Sequence, residues 1–274
     1  MNRSRYLPAT LALLAFAGLF ASSLAPLDVV AAPTRQAAKA PSPNSAEFPR
    51  YVLRRIDDMY RGEKSRSLMR MDVKTKHWTR SISLESWSLG EAYSLVRILS
   101  PKKERGTATL KADDDLFTYL NKTRRTIKIT SGMMGGSWMG SHFSNDDLVR
   151  GSRLSEQYAI KTSFVGPREG TDVYVFVLTP KPDAPVVWGK IEVTIRQSDL
   201  VPLEQIFYDE DGEKMRALVF SDYKVIDGRA IAGMMEMKPL DKPGEYTRIH
   251  FDEIDFGVDL NKGFFTLQKL RSMR

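Results

Sequence analysis

From Ser67 onward, apolar side chains recur at every second position in short runs bounded by turn residues, and this period of two governs most of the 274-residue chain. Such alternation belongs to half-buried strands, because successive side chains of a strand point to opposite faces. The runs are 67–73, 80–87, 93–99, 108–110, 116–120, 126–129, 158–164, 172–179, 187–196, 203–208, 214–225, 230–237 and 246–258. They predict roughly a dozen antiparallel strands, ten or eleven of them in one strongly twisted sheet. Hairpin turns are written at Arg168-Glu169-Gly170, at Asp209-Glu210-Asp211-Gly212 and at Ile226-Asp227-Gly228-Arg229, where glycine supplies positive φ. In the run 172–179, Val173, Val175 and Val177 point one way and Tyr174, Phe176 and Leu178 the other. Both faces of that strand are therefore covered, either by a second sheet or by helices and a cavity on the inner side of a curved sheet.

The period is helical before the first strand. Val52, Ile56, Met59 and Tyr60 share one face of an amphipathic helix over 48–60, which Arg61-Gly62 ends. Upstream, Arg3 and Arg5 precede an apolar stretch from Leu7 to Leu24, and Val29 and Ala31 satisfy the small-x-small rule for cleavage after Ala31. The sequence thus predicts a signal peptide over 1–31, a flexible linker rich in Ala, Pro, Ser and Lys over 32–47, and one domain over 48–274. No later segment approaches the ~18 apolar residues of a spanning helix, so an exported, soluble product is expected.

Composition narrows the chemistry. The 41 Lys and Arg against 34 Asp and Glu give a net charge of +7, scattered without a basic run, which argues against a nucleic-acid partner. With no cysteine, disulfides, thiol catalysis, Cys-ligated zinc and lipid attachment at an N-terminal Cys are all excluded. His77, His142 and His250 lack paired ligand spacing, and the Asp-rich runs at 113–115 and 209–211 lack the ligand series of a calcium loop, so no metal is expected. Gly136-Ser137-Trp138-Met139-Gly140 mimics a nucleophile elbow but has Trp where Ser must stand. No enzyme and no cofactor are predicted.

The alternation breaks over 130–151, where a glycine-rich apolar stretch containing Met133, Met134, Trp138 and Met139 leads into Asn145-Asp146-Asp147-Leu148, a helix start capped by Ser144 or Asn145. Exposing those four side chains to water is costly, and the surrounding glycines make the loop adaptable, so it should cover an apolar surface. The 12 methionines, clustered at 69/71, 133/134/139 and 234/235/237, read as adaptable filling of irregular apolar space; a Cu(I) site would want Cys or His beside them.

Together, the export signal, the opening helix, Ser100-Pro101-Lys102-Lys103-Glu104-Arg105-Gly106-Thr107, the Met134–Ser141 loop with Asn145-Asp146-Asp147-Leu148, and the closing Phe264-Phe265-Thr266-Leu267-Gln268-Lys269-Leu270 resemble the outer-membrane lipoprotein-sorting family of LolA- and LolB-like periplasmic proteins, in a larger branch. The resemblance covers 48–274. It implies a mainly β fold: a single curved, unclosed antiparallel sheet, or half-barrel, whose apolar concave face is covered by helices and a loop and takes up acyl chains. It further implies a periplasmic carrier for an acylated lipoprotein or lipid, with an inner-membrane exporter as partner, transient contact with membrane surfaces, and a monomeric state. On that reading Val52, Ile56, Met133, Met134, Trp138 and Met139 line or cover the cavity. The rival reading is a non-carrier adaptor that binds a membrane transport protein or anionic lipid surface through its sheet edge and basic face.

Overall fold

The computed structural model describes residues 40–150 and 154–273, and the expected signal peptide lies outside them. Helix α1 (Phe48–Asp57) opens the fold, with Pro at its first turn, where a missing N–H costs nothing, and Arg54 and Arg55 in its last turn, where cations complement the helix dipole. Its inward face buries Phe48, Val52, Leu53 and Ile56, each worth roughly 1.5–3 kcal/mol of transfer free energy for the larger side chains. The chain then turns through Gly62, at φ +54°.

Thirteen strands follow, more than the ten or eleven expected, and all join one antiparallel sheet. Strands β1 (Lys64–Lys74), β2 (Thr79–Leu89), β3 (Tyr93–Ser100), β4 (Ala108–Ala112), β5 (Asp115–Leu120) and β6 (Arg125–Ile129) meander outward in one direction. The chain crosses to the opposite side and returns through β7 (Tyr158–Arg168), β8 (Thr171–Pro180), β9 (Lys190–Arg196), β10 (Pro202–Tyr208), β11 (Lys214–Ile226), β12 (Arg229–Pro239) and β13 (Tyr246–Asp255). β13 then pairs with β1 in the middle of the sheet. β6 and β7 remain as two free edges, so the sheet is an open half-barrel. Two hairpins use consecutive positive φ values, Glu169/Gly170 at 49° and 79° and Asp227/Gly228 at 48° and 72°, the type I′ geometry whose twist matches that of the strands.

The topology dictates what covers the inner face. The segment joining edge strand β6 to edge strand β7 must travel across the whole sheet, and it does so as the Trp/Met loop, α2 (Asn145–Arg150) and α3 (Leu154–Gln157). These pieces and α1 pack on the inner side in one large core, where Phe48, Trp138, Phe143 and Leu154 meet Met71, Leu84, Phe176, Leu178 and Phe220 from the sheet. Phe48 sits edge-on to Tyr174 and Phe176, with centroids 5.1 and 6.4 Å away. The outer face has its own cover over β3–β5. There Leu95, Leu110 and Tyr119 pack under Leu260, Phe265, Leu270 and Met273 of the C-terminal segment, which ends in α4 (Leu267–Ser272).

Candidate functional site

Side-chain size along the central strands leaves a hollow. On the inner face of β1 the residues run Ser65, Ser67, Met69, Met71, Val73, and the register sets Ser88 and Ser86 of β2 beside Ser65 and Ser67, and Leu84 and Ile82 beside Met69 and Met71. Ser94 of β3 continues the small series opposite Ser88. One end of this surface is thus filled by large side chains and the other is not. The space left under α1, α2 and α3 is a cavity of about 310 Å³, within the range of small-molecule sites.

The cavity walls are mostly apolar. Met69, Phe220, Met235, Met237, Ile249 and Phe251 rise from the sheet, and Ile56, Trp138, Phe143, Leu148 and Leu154 descend from the covering segments. Tyr60 lies at its edge, stacked on Phe251 with centroids 4.4 Å apart and donating its hydroxyl to the Ala232 carbonyl at 2.9 Å. Burial pushes the Tyr60 phenol far up, so it stays protonated.

The covering loop is held by hydrogen bonds at several points. Trp138 N–H donates to the Phe143 carbonyl at 2.8 Å, Asn145 Nδ2 donates to the Met133 carbonyl at 3.0 Å, and Arg80 Nη1 donates to the Met139 carbonyl at 2.8 Å. Met139 itself adopts φ 50°, a backbone region that side chains other than glycine seldom occupy. At the start of α2, Ser144 Oγ accepts from Asp147 N–H at 3.2 Å while Asp147 Oδ2 accepts from Ser144 N–H at 2.8 Å, a reciprocal cap. Asp147 also receives Arg216 Nη1 at 2.8 Å, which fastens α2 to β11. The Arg216 guanidinium lies over the rings of Trp188 and Phe207, 4.4 and 4.5 Å from their centroids.

The six residues singled out in the sequence take five different positions. Ile56 and Trp138 line the cavity. Val52 is fully buried in the same core, and Met139 packs against that core while half-buried. Met134 packs instead with Leu116 and Ile129 near the β6 edge, and Met133 is 42% exposed. The sheet-borne lining escaped the sequence-based site, although Met69, Met235 and Met237 carried a signal in their two-residue spacing. Among the described residues no group of three His, Asp or Glu side chains is placed to hold a metal ion.

Asp57 and Arg61 also line the cavity. Asp57 Oδ2 and Arg61 Nη1 are shut off from solvent and have no hydrogen-bond partner among the described residues. Burial pushes the Asp57 carboxyl well above its ordinary value, against a smaller opposing pull from Arg61, and burial lowers Arg61. Buried unpaired charge is expensive, which sets this end apart from the apolar remainder.

A family model described as one of uncharacterized proteins matches residues 90–272. The chain belongs to this family, DUF1329. A solved DUF1329 family protein from Desulfovibrio piger is similar with 22% identity and a TM-score of 0.74, over 82% of this chain and 98% of its own. A domain from Vibrio parahaemolyticus, described as from an outer membrane lipoprotein-sorting protein, shares 24% identity at a TM-score of 0.71, over 83% of this chain and 100% of its own. A LolA superfamily protein from Nitrosomonas europaea follows at 20% and 0.67, over 80% and 97%. This DUF1329 chain therefore has the fold that those lipoprotein-sorting and LolA structures share. No curated protein matches it in sequence.

Proposed function

We propose that this DUF1329 protein is a periplasmic carrier that shelters the acyl chain of a lipid or lipoprotein and moves it toward the outer membrane or to and from a membrane exporter. In this reading 1–31 is the export signal, 32–47 a tether, and 48–274 the binding domain. The observation that carries it is the apolar cavity of about 310 Å³ between the inner face of the sheet and its helical cover. A carrier needs contact area without directional bonds, at ~0.8 kcal/mol for each methylene taken from water, and the Met, Phe and Leu walls offer it. Met thioethers accommodate chains of different shape. The fold shared with lipoprotein-sorting and LolA structures supports the same reading. Among the described residues no helix is long and apolar enough to cross a membrane.

Native mass spectrometry and lipid extraction of protein purified without detergent test the proposal. Bound lipid, or uptake of a twelve-carbon acyl probe, is the expected result. A protein that is consistently empty and takes up no probe would overturn the carrier and leave the adaptor reading.

A further inference from the structure

The polar end of the cavity identifies the head of what enters it. Five serines, 65, 67, 86, 88 and 94, line that end, and two of them are mutually satisfied through the Ser65–Ser88 hydroxyl contact at 2.8 Å. At this end one carboxylate oxygen of Asp57, the last residue of α1, and one guanidinium nitrogen of Arg61, four residues on, are buried without a hydrogen-bond partner among the described residues. A guest that pairs both must bring a hydrogen-bond donor for Asp57 and an acceptor for Arg61. It must also bring little net negative charge, because Asp58, Glu91 and Glu156 act on Asp57 as additional like charges.

We propose that this end receives the carboxylic-acid head of a single-chain fatty acid, its O–H donated to Asp57 and its carbonyl accepting from Arg61. The inference rests on the carrier reading and names its cargo. The acid enters neutral, or loses its proton to Asp57 within the pair, so two carboxyls share one proton and the guanidinium offsets the remaining charge. Burial of Asp57 favours that shared proton. An ester head offers only an acceptor, a quaternary ammonium neither group, and a phosphate brings charge into an acidic surrounding. Size agrees with a single short chain: about 310 Å³ is roughly twice an apolar cavity that takes up one benzene ring, or about twelve carbons.

The test is titration calorimetry of delipidated, full-length mature protein with dodecanoic acid, dodecanamide and methyl dodecanoate. The acid and the amide each carry a donor and an acceptor and should bind about tenfold or more tighter than the ester. In Asp57→Leu that preference should vanish while ester binding, whose carbonyl still meets Arg61, persists, which shows that the variant is folded. If Asp57→Leu does not fold, the three-ligand series on the unaltered protein decides alone. Equal binding of all three ligands would overturn the head-group assignment and leave the carrier intact. Binding of none would overturn both.

Discussion

Trp138 donates its indole N–H to Thr109 Oγ1 over 3.2 Å, tying the covering loop to the inner face of β4 across 29 residues of chain. Both residues are buried, at 4% and 3% exposure, so the loop is fastened at the point where it also forms a cavity wall. Trp138→Phe keeps most of the ring but strands the Thr109 hydroxyl, and should cost about 1 kcal/mol in denaturant melts. Trp138→Ala should cost about 3–5 kcal/mol and change acyl-probe affinity as well. A Trp138→Ala protein with unaltered stability would contradict the packing described.

The Asp147–Arg216 clasp should respond unequally to its two truncations. In Arg216→Met, Asp147 keeps the Ser144 N–H and hydroxyl and the stem still covers Trp188 and Phe207, so the expected loss is about 1–3 kcal/mol. In Asp147→Ala a guanidinium with 9% of its side chain exposed loses its carboxylate, and α2 loses its cap, for about 3–5 kcal/mol. Chemical denaturation of both variants gives the order, and a reversed order would refute it.

Filling the hollow end separates cavity from core. Ser67 is 3% exposed and faces the cavity, so Ser67→Leu places three further carbon atoms where space already exists. Twelve-carbon probe affinity should fall about tenfold or more, since part of the site is occupied. Melting temperature should hold or rise, unlike the 1–3 kcal/mol loss expected when a filled core is overpacked. Retained affinity would place the ligand elsewhere.

These residues also show how far the sequence was legible. Thirteen alternating segments read as roughly a dozen strands, ten or eleven of them in one sheet, and the structure pairs all thirteen; the two apolar faces of β8 are both buried, at Val173 and Val175 on one side and Phe176 and Leu178 on the other, because side-chain period follows directly from the pleat. The strand at 187–196 begins only at Lys190, since Trp188 lies instead under the Arg216 guanidinium, a long-range contact that no local pattern encodes. The cavity was not legible for a related reason. Serines alternating along a strand read as a solvent face, and only the register of β1 against β2 and β3 shows that they are inward positions left short. Likewise Asp57, the last residue of α1, and Arg61 in the turn after it carry no local sign of burial, which comes only when the fold closes over them. The Trp/Met loop was visible as apolar and glycine-rich. The split between Trp138 inside and Met133 outside follows from loop hydrogen bonds and the positive φ of Met139, which composition does not reveal.

Asp57 gives the fold a pH dependence whose sign is fixed. Its carboxyl titrates well above its ordinary value in the folded protein because burial disfavours the anion, whereas in the unfolded chain it titrates near the ordinary ~3.9. Between those two values the folded state binds more protons than the unfolded state, so stability falls as pH rises through the window. The contribution is fully present below the unfolded value and lost above the folded one. Asp57→Asn, which is nearly isosteric and uncharged, removes this penalty. The variant should therefore melt higher than the unaltered protein at neutral pH, with the difference shrinking as pH is lowered toward 4, where both carry a neutral side chain. Matched thermal melts from pH 4 to 8 check this. A variant less stable at pH 7 than its parent would mean that ionised Asp57 is well paired in the fold, and that the polar end of the cavity is satisfied before any guest arrives.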